Sequence, residues 1–290
     1  MSLPKITFLI LTYNQKDYIY DAIMSGLHQD YQGDMEIIVS DDASTDGTWE
    51  EICRAIANNS SRFIVKSFRQ EKNLGLGGNM SNALSLCNGD IIVYNDGDDT
   101  SVDNRVSKVV EIFENNPDIQ LVTGQINWLI NNKIHPLTSE EKPKSSLQRS
   151  LGEYIENNFL WDIWGCTPAY RKCLIDGWPP MFVTTPTSDS WIRLRAMMYK
   201  CKSKSIYIDK NVHVNYRIHT NQITNAANNW KMPRKYIFKQ FLSDWAHAIK
   251  CKYLDLGSGF RMLPMLTKYG IASLLQFNKL WLKYRKRIYN

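Results

Sequence analysis

No apolar run in this 290-residue chain is long enough to span a bilayer; the best, Ile6–Leu11, is the length of a strand. The N-terminus lacks a basic segment followed by a long apolar region and a small-residue cleavage site, so no secretory leader is expected. The six cysteines, Cys53, Cys87, Cys166, Cys173, Cys201 and Cys251, include no Cys-x-x-Cys pair, and no nearby histidine completes a zinc pattern. Reduced, mostly buried thiols are the expectation. Internal repeats and low-complexity tracts are absent. The run Gly75-x-Gly77-Gly78 lacks the Lys-Ser/Thr of a phosphate loop and the spacing of a dinucleotide fingerprint, so it reads as a flexible turn.

What is present fits a globular α/β protein. Hydrophobic residues make up 43% and charged residues 22%, ordinary values that allow a sizeable core. The length suits one large domain with a C-terminal extension. Charge is uneven: from Lys231 onward there are 13 Lys/Arg against 2 Asp/Glu, while the preceding 230 residues carry 22 against 27. A basic tail on an acidic body points to an anionic partner at the tail.

Strand and helix patterns alternate. Ile6–Leu11 is β-rich, and Ile19, Ala22, Ile23 and Leu27 then recur at helical spacing. Glu36–Ser40 reads as a second strand and Trp49, Ile52 and Ile56 as a second helical stripe. Phe63–Phe68 is a third strand, Asn79–Leu86 a helix closed by Asn88-Gly89, and Ile91–Tyr94 a fourth strand. Val102–Phe113 follows as a helix and Leu121–Val122 opens another strand. Asn131–Arg149 reads as a polar surface loop, Pro186–Lys200 as a helix, and Ser205–Ile208 and Val212–Tyr216 as two strands. This order predicts a parallel sheet with helices on both faces, whose ligands bind beyond the carboxyl ends of the strands.

Polar clusters sit at three of those ends. Thr12-Tyr13-Asn14-Gln15 follows the first strand, Asp41-Asp42 the second, and Asp96-Gly97-Asp98-Asp99 the fourth. Carboxylates this close repel unless a cation neutralises them, and hard divalent ions favour oxygen ligands that they share with phosphates. The alternative is a solvated acidic turn in which Asp99 or Ser101 caps the next helix; the place after a central strand favours the metal. Gly97 permits a tight turn on which the acids converge. A carboxylate at Asp42 is suited to a nucleobase imide or ribose hydroxyl. Ser44 and Asp46 are helix-capping types. Trp161, Trp164 and Trp178 are candidates for stacking on sugars, with core packing the commoner role of such side chains.

Together these residues resemble the family 2 glycosyltransferases, inverting enzymes of the GT-A fold. The resemblance runs from Ile6 to His219. It rests on Thr12-Tyr13-Asn14, Gln29-x-Tyr31, Asp41-Asp42-x-Ser44-x-Asp46-Gly47-Thr48, Asn73-x-Gly75, Ala83, Gly89-Asp90, Asp96-x-Asp98-Asp99, Cys166–Arg171 with Asp176, Thr187-Ser188-Asp189 and Tyr216-Arg217-x-His219. It implies an α/β GT-A fold with a mostly parallel sheet and a metal-dependent transfer of sugar from a nucleotide diphosphate to an acceptor hydroxyl. By residue it implies that Thr12, Tyr13 and Asn14 line the nucleotide pocket, Asp42 binds the base and Asp96 faces the ribose or ion. Asp98, Asp99 and His219 would hold Mn²⁺ or Mg²⁺, and Asp189 would be the catalytic base. A UDP-sugar donor, a saccharide or lipid-linked saccharide acceptor and bacterial surface polysaccharide synthesis also follow from the resemblance. No recognised nucleic-acid-binding motif accompanies the basic charge, so no nucleic acid partner is expected.

The chain departs from the family in two places. Ser188 stands where Glu usually precedes the base, and Gly78-Asn79 where many members have Arg-Asn. No Gln-x-x-Arg-Trp segment is present, so addition of a single sugar is expected. Two rival readings stay open: a sugar nucleotidyltransferase, against which the absence of a Gly-rich basic loop after the first strand argues, and a non-catalytic binding module of the same fold. The expected division is a transferase domain over residues 1–225, with a nucleotide half to 125 and an acceptor half from 126, and a basic helical extension over 226–290. In the tail, Leu274, Phe277, Trp281 and Tyr284 recur at helical spacing beside Lys279, Lys283, Arg285, Lys286 and Arg287. That pattern suits either docking on an anionic membrane or packing on protein. The expected location is the cytoplasm, with peripheral contact at the inner face of the membrane.

Overall fold

The computed structural model describes residues 2–138, 141, 144–150, 153, 164–180, 188–199, 204–220, 222 and 234–254, with backbone alone at 188–190, 234–239 and 241–242. Trp161, Cys201 and the tail 274–290 lie outside these residues.

Seven elements alternate first: β1 (Ile6–Thr12), α1 (Ile19–Leu27), β2 (Met35–Asp41), α2 (Thr48–Ala57), β3 (Ile64–Arg69), α3 (Gly75–Leu86) and β4 (Ile91–Asp96). There follow a short β5 (Thr100–Ser101), α4 (Arg105–Asn115), β6 (Leu121–Ile130), β7 (Lys133–Pro136), β8 (Leu147–Ser150) and β9 (Ala169–Arg171). After a 3₁₀ turn (Lys172–Leu174) come α5 (Ser188–Tyr199), β10 (Lys204–Ile218) and α6 (Arg234–Lys250).

The strands form one sheet in the order β3-β2-β1-β4-β9-β6-β10-β5, with β7 on β6 and β8 on β10. The β3-β2-β1-β4 half is wholly parallel. β10 runs parallel to β6, whereas β5, β7, β8 and β9 pair antiparallel. Every residue of β1 and β2 is buried, as continuous apolar strands covered on both faces should be. One core layer lies under α1, α2 and α4, with Phe8, Ile10, Ile23, Ile37, Val106 and Phe113. The other joins β1 and β4 to α3 and α5 through Leu9, Tyr94, Met80, Tyr170, Ile192 and Met197.

Four readings change. Gly75, Gly77 and Gly78 are not a turn but the start of α3, whose close approach to the sheet buries Gly77, Gly78 and Asn79. Gly89 does not cap that helix, which ends at Leu86; a Cβ there would lie 2.3 Å from the Thr7 backbone nitrogen, so glycine allows the chain to cross β1. Part of the expected surface loop 131–149 is β-structure, since β7 and β8 each find an edge to pair with. The two strands expected at 205–216 are one long β10 with bulges between Ile208 and Val214. Of the cysteines, Cys87 and Cys166 are buried, Cys173 is half-buried, and Cys53 and Cys251 are exposed; all five are free thiols.

α6 packs into the same body. Ala248 and Leu254 belong to the core layer beneath α5. Arg195 of α5 makes a buried pair with Asp244 of α6, with Nε and Nη2 each 3.0 Å from the carboxylate.

Candidate active site

Parallel pairing brings three loops to one end of the sheet. In register, Thr12 lies beside Asp41 and Leu11 beside Asp96, so the segments that follow β1, β2 and β4 leave the sheet side by side.

The first two loops are bonded together. Asn14 donates its backbone N–H to Ser44 Oγ (2.8 Å), and its Oδ1 accepts from the Thr45 N–H (2.9 Å). The Gln15 and Lys16 N–H groups reach Thr48 Oγ1 (2.8 Å) and Asp46 Oδ2 (3.1 Å). Asn14 (φ 52°) and Ala43 (φ 61°) are held in left-handed conformations, a local cost that this cross-loop bonding offsets. Ser44 therefore links loops rather than capping α2, whose first-turn Thr48 N–H is taken by Asp46 (3.0 Å). Thr12 is buried and donates to Gln15 Oε1 (2.8 Å), whereas Tyr13 presents an open ring at 44% exposure.

Asp41 and Asp42 differ in role. Asp41 is fully buried, accepts from the Ser44 hydroxyl and N–H, and faces Arg69 at 3.4 Å. Asp42 accepts from the Leu74 N–H (2.7 Å), which fastens the β2 loop to the start of α3. Burial pushes both carboxyls above the ordinary range; hydrogen bonds from Ser44 and from Leu74 and Gly75 pull them back. Asn79, at the departure from the family's Arg-Asn pair, bonds the Ser40 carbonyl (3.0 Å) and hydroxyl (2.6 Å) and so holds the end of β2.

The acidic turn splits its carboxylates. Asp96 accepts from the Tyr94 hydroxyl. Asp98 Oδ2 lies 2.9 Å from His219 Nε2, which arrives just past the end of β10. Asp99 is 0% exposed and turned inward; its Oδ1 accepts from the Arg217 N–H (2.8 Å), and its Oδ2 has no hydrogen-bond partner. Burial, then Asp98 and Asp96, raise the Asp99 carboxyl well above its normal range. Gly97 serves by size rather than by torsion: a Cβ would stand 2.5 Å from Gln15 Oε1 and 2.7 Å from Thr12 Cβ, and the Gly97 N–H binds the Leu11 carbonyl at 2.9 Å. Beneath the turn, the fully buried Arg105 donates to Ser101 Oγ (2.8 Å), Asn95 Oδ1 (3.3 Å) and the Tyr94 carbonyl (2.8 Å). Burial lowers its guanidinium to about 10, while Asp99 and Asp96 act to raise it.

Asp98 and His219 thus converge, each slightly accessible, as one carboxylate and one imidazole can around a hard cation. Among the described residues no group of three or more such side chains forms a closed cage. Mg²⁺ and Mn²⁺ sites of this type are commonly completed by phosphate oxygens and water, so a two-sided protein contribution fits. Asp189 lies in the first turn of α5, but its side chain is outside the described residues. Trp178 and Trp164 are packing residues: Trp178 is buried under Arg195 and against Tyr253, and Trp164 meets Trp128 edge-on at 5.7 Å.

Sequence reasoning missed Arg105, Tyr18 and the multiple bonds of Arg217. Arg217 was visible beside His219 in the late motif; Arg105 and Tyr18 belong to no chemical pattern.

Known proteins carry the same framework. A 1–349 fragment of TarS from S. aureus, crystallised with UDP-GlcNAc, superposes with a TM-score of 0.65 over 91% of this chain and 71% of that one, at 17% identity. This likeness establishes the fold, an α/β sheet of GT-A type flanked by helices. EpsE of Bacillus subtilis is 35% identical over 124 residues, 42% of this chain and 44% of EpsE. The Escherichia coli enzyme WfaP, a UDP-Glc:alpha-D-GlcNAc-diphosphoundecaprenol beta-1,3-glucosyltransferase, is 35% identical over 109 residues, 38% of this chain and 41% of WfaP. The match thus spans less than half the length of either relative. The pattern of Glycosyl transferase family 2 covers residues 7–176, more than half the chain and all three loops described above, and the chain belongs to that family.

Proposed function

We propose that the protein is an inverting glycosyltransferase that moves a sugar from a nucleotide-diphosphate donor to an acceptor hydroxyl. The observation that carries this reading is the Asp98–His219 pair at the sheet end where the three loops meet.

Thr12, Tyr13, Asn14 and Asp42 form the nucleotide side, with the Tyr13 ring free to lie against the base and Asp96 next to the ribose. Asp98 and His219 would hold Mn²⁺ or Mg²⁺ on the diphosphate. A bound divalent ion supplies Lewis-acid stabilisation of the charge that builds on the leaving phosphate. Asp98 is favoured for this role by its contact with His219; Asp99 has one oxygen taken by the Arg217 N–H and the other buried without a hydrogen-bond partner. Asp189, at the helix start, takes the proton of the acceptor hydroxyl as its oxygen bonds the anomeric carbon. The bond from that carbon to the diphosphate oxygen breaks, and the electron pair leaves with the nucleotide diphosphate. A single displacement of this kind inverts the anomeric centre.

WfaP's named substrates and the ligand of TarS favour a UDP-sugar donor and a lipid-linked saccharide acceptor, hence bacterial surface polysaccharide synthesis. No helix among the described residues is long and apolar enough to cross a membrane. The basic residues of the tail 274–290, set beside an apolar stripe in the sequence, suit peripheral contact with an anionic membrane that carries a lipid-linked acceptor.

Thermal shift tests the donor and metal together. A UDP-sugar with Mn²⁺ at 100 times its Kd should stabilise the folded protein by about 2.7 kcal/mol. Asp98→Asn should lose the Mn²⁺-dependent part, and a shift that ignores Mn²⁺ would refute the metal assignment.

A further inference from the structure

Arg217 stands at the end of β10 with its side chain only 6% exposed, and it bonds to the acidic turn and to two neighbouring segments. Its Nε donates to the Asp98 carbonyl (2.9 Å), its Nη1 to Asn132 Oδ1 (2.6 Å) in the β6–β7 turn, and its Nη2 to Asp21 Oδ2 (3.1 Å) of α1. Its backbone N–H takes Asp99 Oδ1 (2.8 Å), and its carbonyl accepts from Gln222 Nε2 (2.5 Å). The guanidinium carbon sits 5.0 Å over the Tyr18 ring, and the His219 imidazole lies against the same ring, at 4.5 Å between centroids.

We infer that Arg217 is the positioning residue of the metal-binding turn, fixing both partners of the Asp98–His219 pair at once. On one side it holds the Asp98 peptide through the carbonyl and the Asp99 carboxyl through its own N–H. On the other it sets the Tyr18 ring against which His219 packs. Nε, Nη1 and Nη2 each have a protein acceptor on a different segment around the turn, so the residue is tied to its neighbours and acts through them. The positive charge also opposes the mutual repulsion of Asp96, Asp98 and Asp99, which would otherwise spread the turn. Lysine carries the same charge but not the planar fork that reaches three acceptors in fixed directions, so it cannot substitute.

The inference rests on the reading of Asp98 and His219 as cation ligands, and the test separates the two. UDP binding is measured by calorimetry with and without Mn²⁺, and the ratio of the two Kd values gives the metal coupling. Wild type should show strong coupling and Asp98→Asn none. Arg217→Lys should reduce the coupling at least fivefold while leaving the metal-free Kd for UDP near wild type. Asn132→Gly removes one anchor at a position whose φ of 59° glycine adopts freely, and it should lower the coupling by a smaller factor. Absent coupling in wild type, or full coupling in Asp98→Asn, overturns the metal reading itself. Coupling lost in Asp98→Asn but intact in Arg217→Lys overturns the positioning role. If Arg217→Lys fails to fold, unchanged coupling in Asn132→Gly overturns it.

Discussion

Replacing Asp244 by alanine should destabilise the whole transferase body, although the residue lies far along the chain from the nucleotide loops. Asp244 is 0% and Arg195 2% exposed, and two bonds of 3.0 Å join them. Burial pushes the Asp244 carboxyl up, and Arg195 with Gln240 pulls it back, so the pair exists because its partners satisfy each other. Without the carboxylate, the guanidinium keeps the Leu174 (3.3 Å) and Pro179 (2.5 Å) carbonyls and the Trp178 ring, at 5.2 Å, but no counter-charge. A unit pair near 4 Å interacts by about 4 kcal/mol at an effective dielectric constant of 20. Breaking buried pairs from one side costs roughly 3–5 kcal/mol. At about 2–4 °C per kcal/mol, the melting temperature should fall by roughly 10 °C. Removing both charges as Arg195→Met with Asp244→Leu should cost less than the sum of the single changes, because no uncompensated ion remains. Calorimetric melting of the five proteins, wild type, Asp244→Ala, the two single changes and their double, decides it. A shift under about 2 °C for Asp244→Ala, or strict additivity in the double variant, would refute the argument that α6 is locked to α5 through this pair.

Two further outcomes follow from local geometry. Gly97→Ala places a methyl group within 2.8 Å of Thr12 and Gln15, an overpacking cost of about 1–3 kcal/mol, and it should lower turnover by displacing the acidic turn; unchanged melting and turnover would show that the turn yields freely. Burial holds the His213 imidazole below its ordinary range despite its 2.9 Å bond to Asp209. The unfolded chain binds a proton there first, so stability should fall as pH drops below about 6.5. The Asp209 carboxyl, raised by burial but held at about 2 by His213, Asn211 and Ser146, should continue that loss from about pH 4 downward. His213→Gln should start less stable and lose less between pH 7 and 5.5; parallel melting curves for the two proteins would contradict this.

The alternating apolar strands and helical stripes made the β3-β2-β1-β4 half legible in the sequence, and with it the sheet end where the three polar loops emerge. β7 and β8 were hidden because short edge strands with polar faces look like loop, and β10 because bulges interrupt its alternation. In the site, the acidic turn stood out by residue type and His219 only by its place in the Tyr216-Arg217-x-His219 segment, and type alone could not show that Asp98 and Asp99 face different surroundings. That distinction depends on an inward turn of one carboxyl onto the Arg217 N–H, a contact 118 residues distant in the chain. Arg105 was illegible for the same reason: a buried guanidinium that serves backbone carbonyls has the same letter as a solvated one.

The most direct test of the transferase reading is the anomeric configuration of the product. With a UDP-sugar donor, Mn²⁺ and a lipid-linked saccharide acceptor, proton NMR of the new anomeric signal should show the configuration opposite to the donor's, and Asp189→Asn should bind donor normally yet form no product. Retained configuration, or near-normal turnover in Asp189→Asn, would contradict a single displacement assisted by that base.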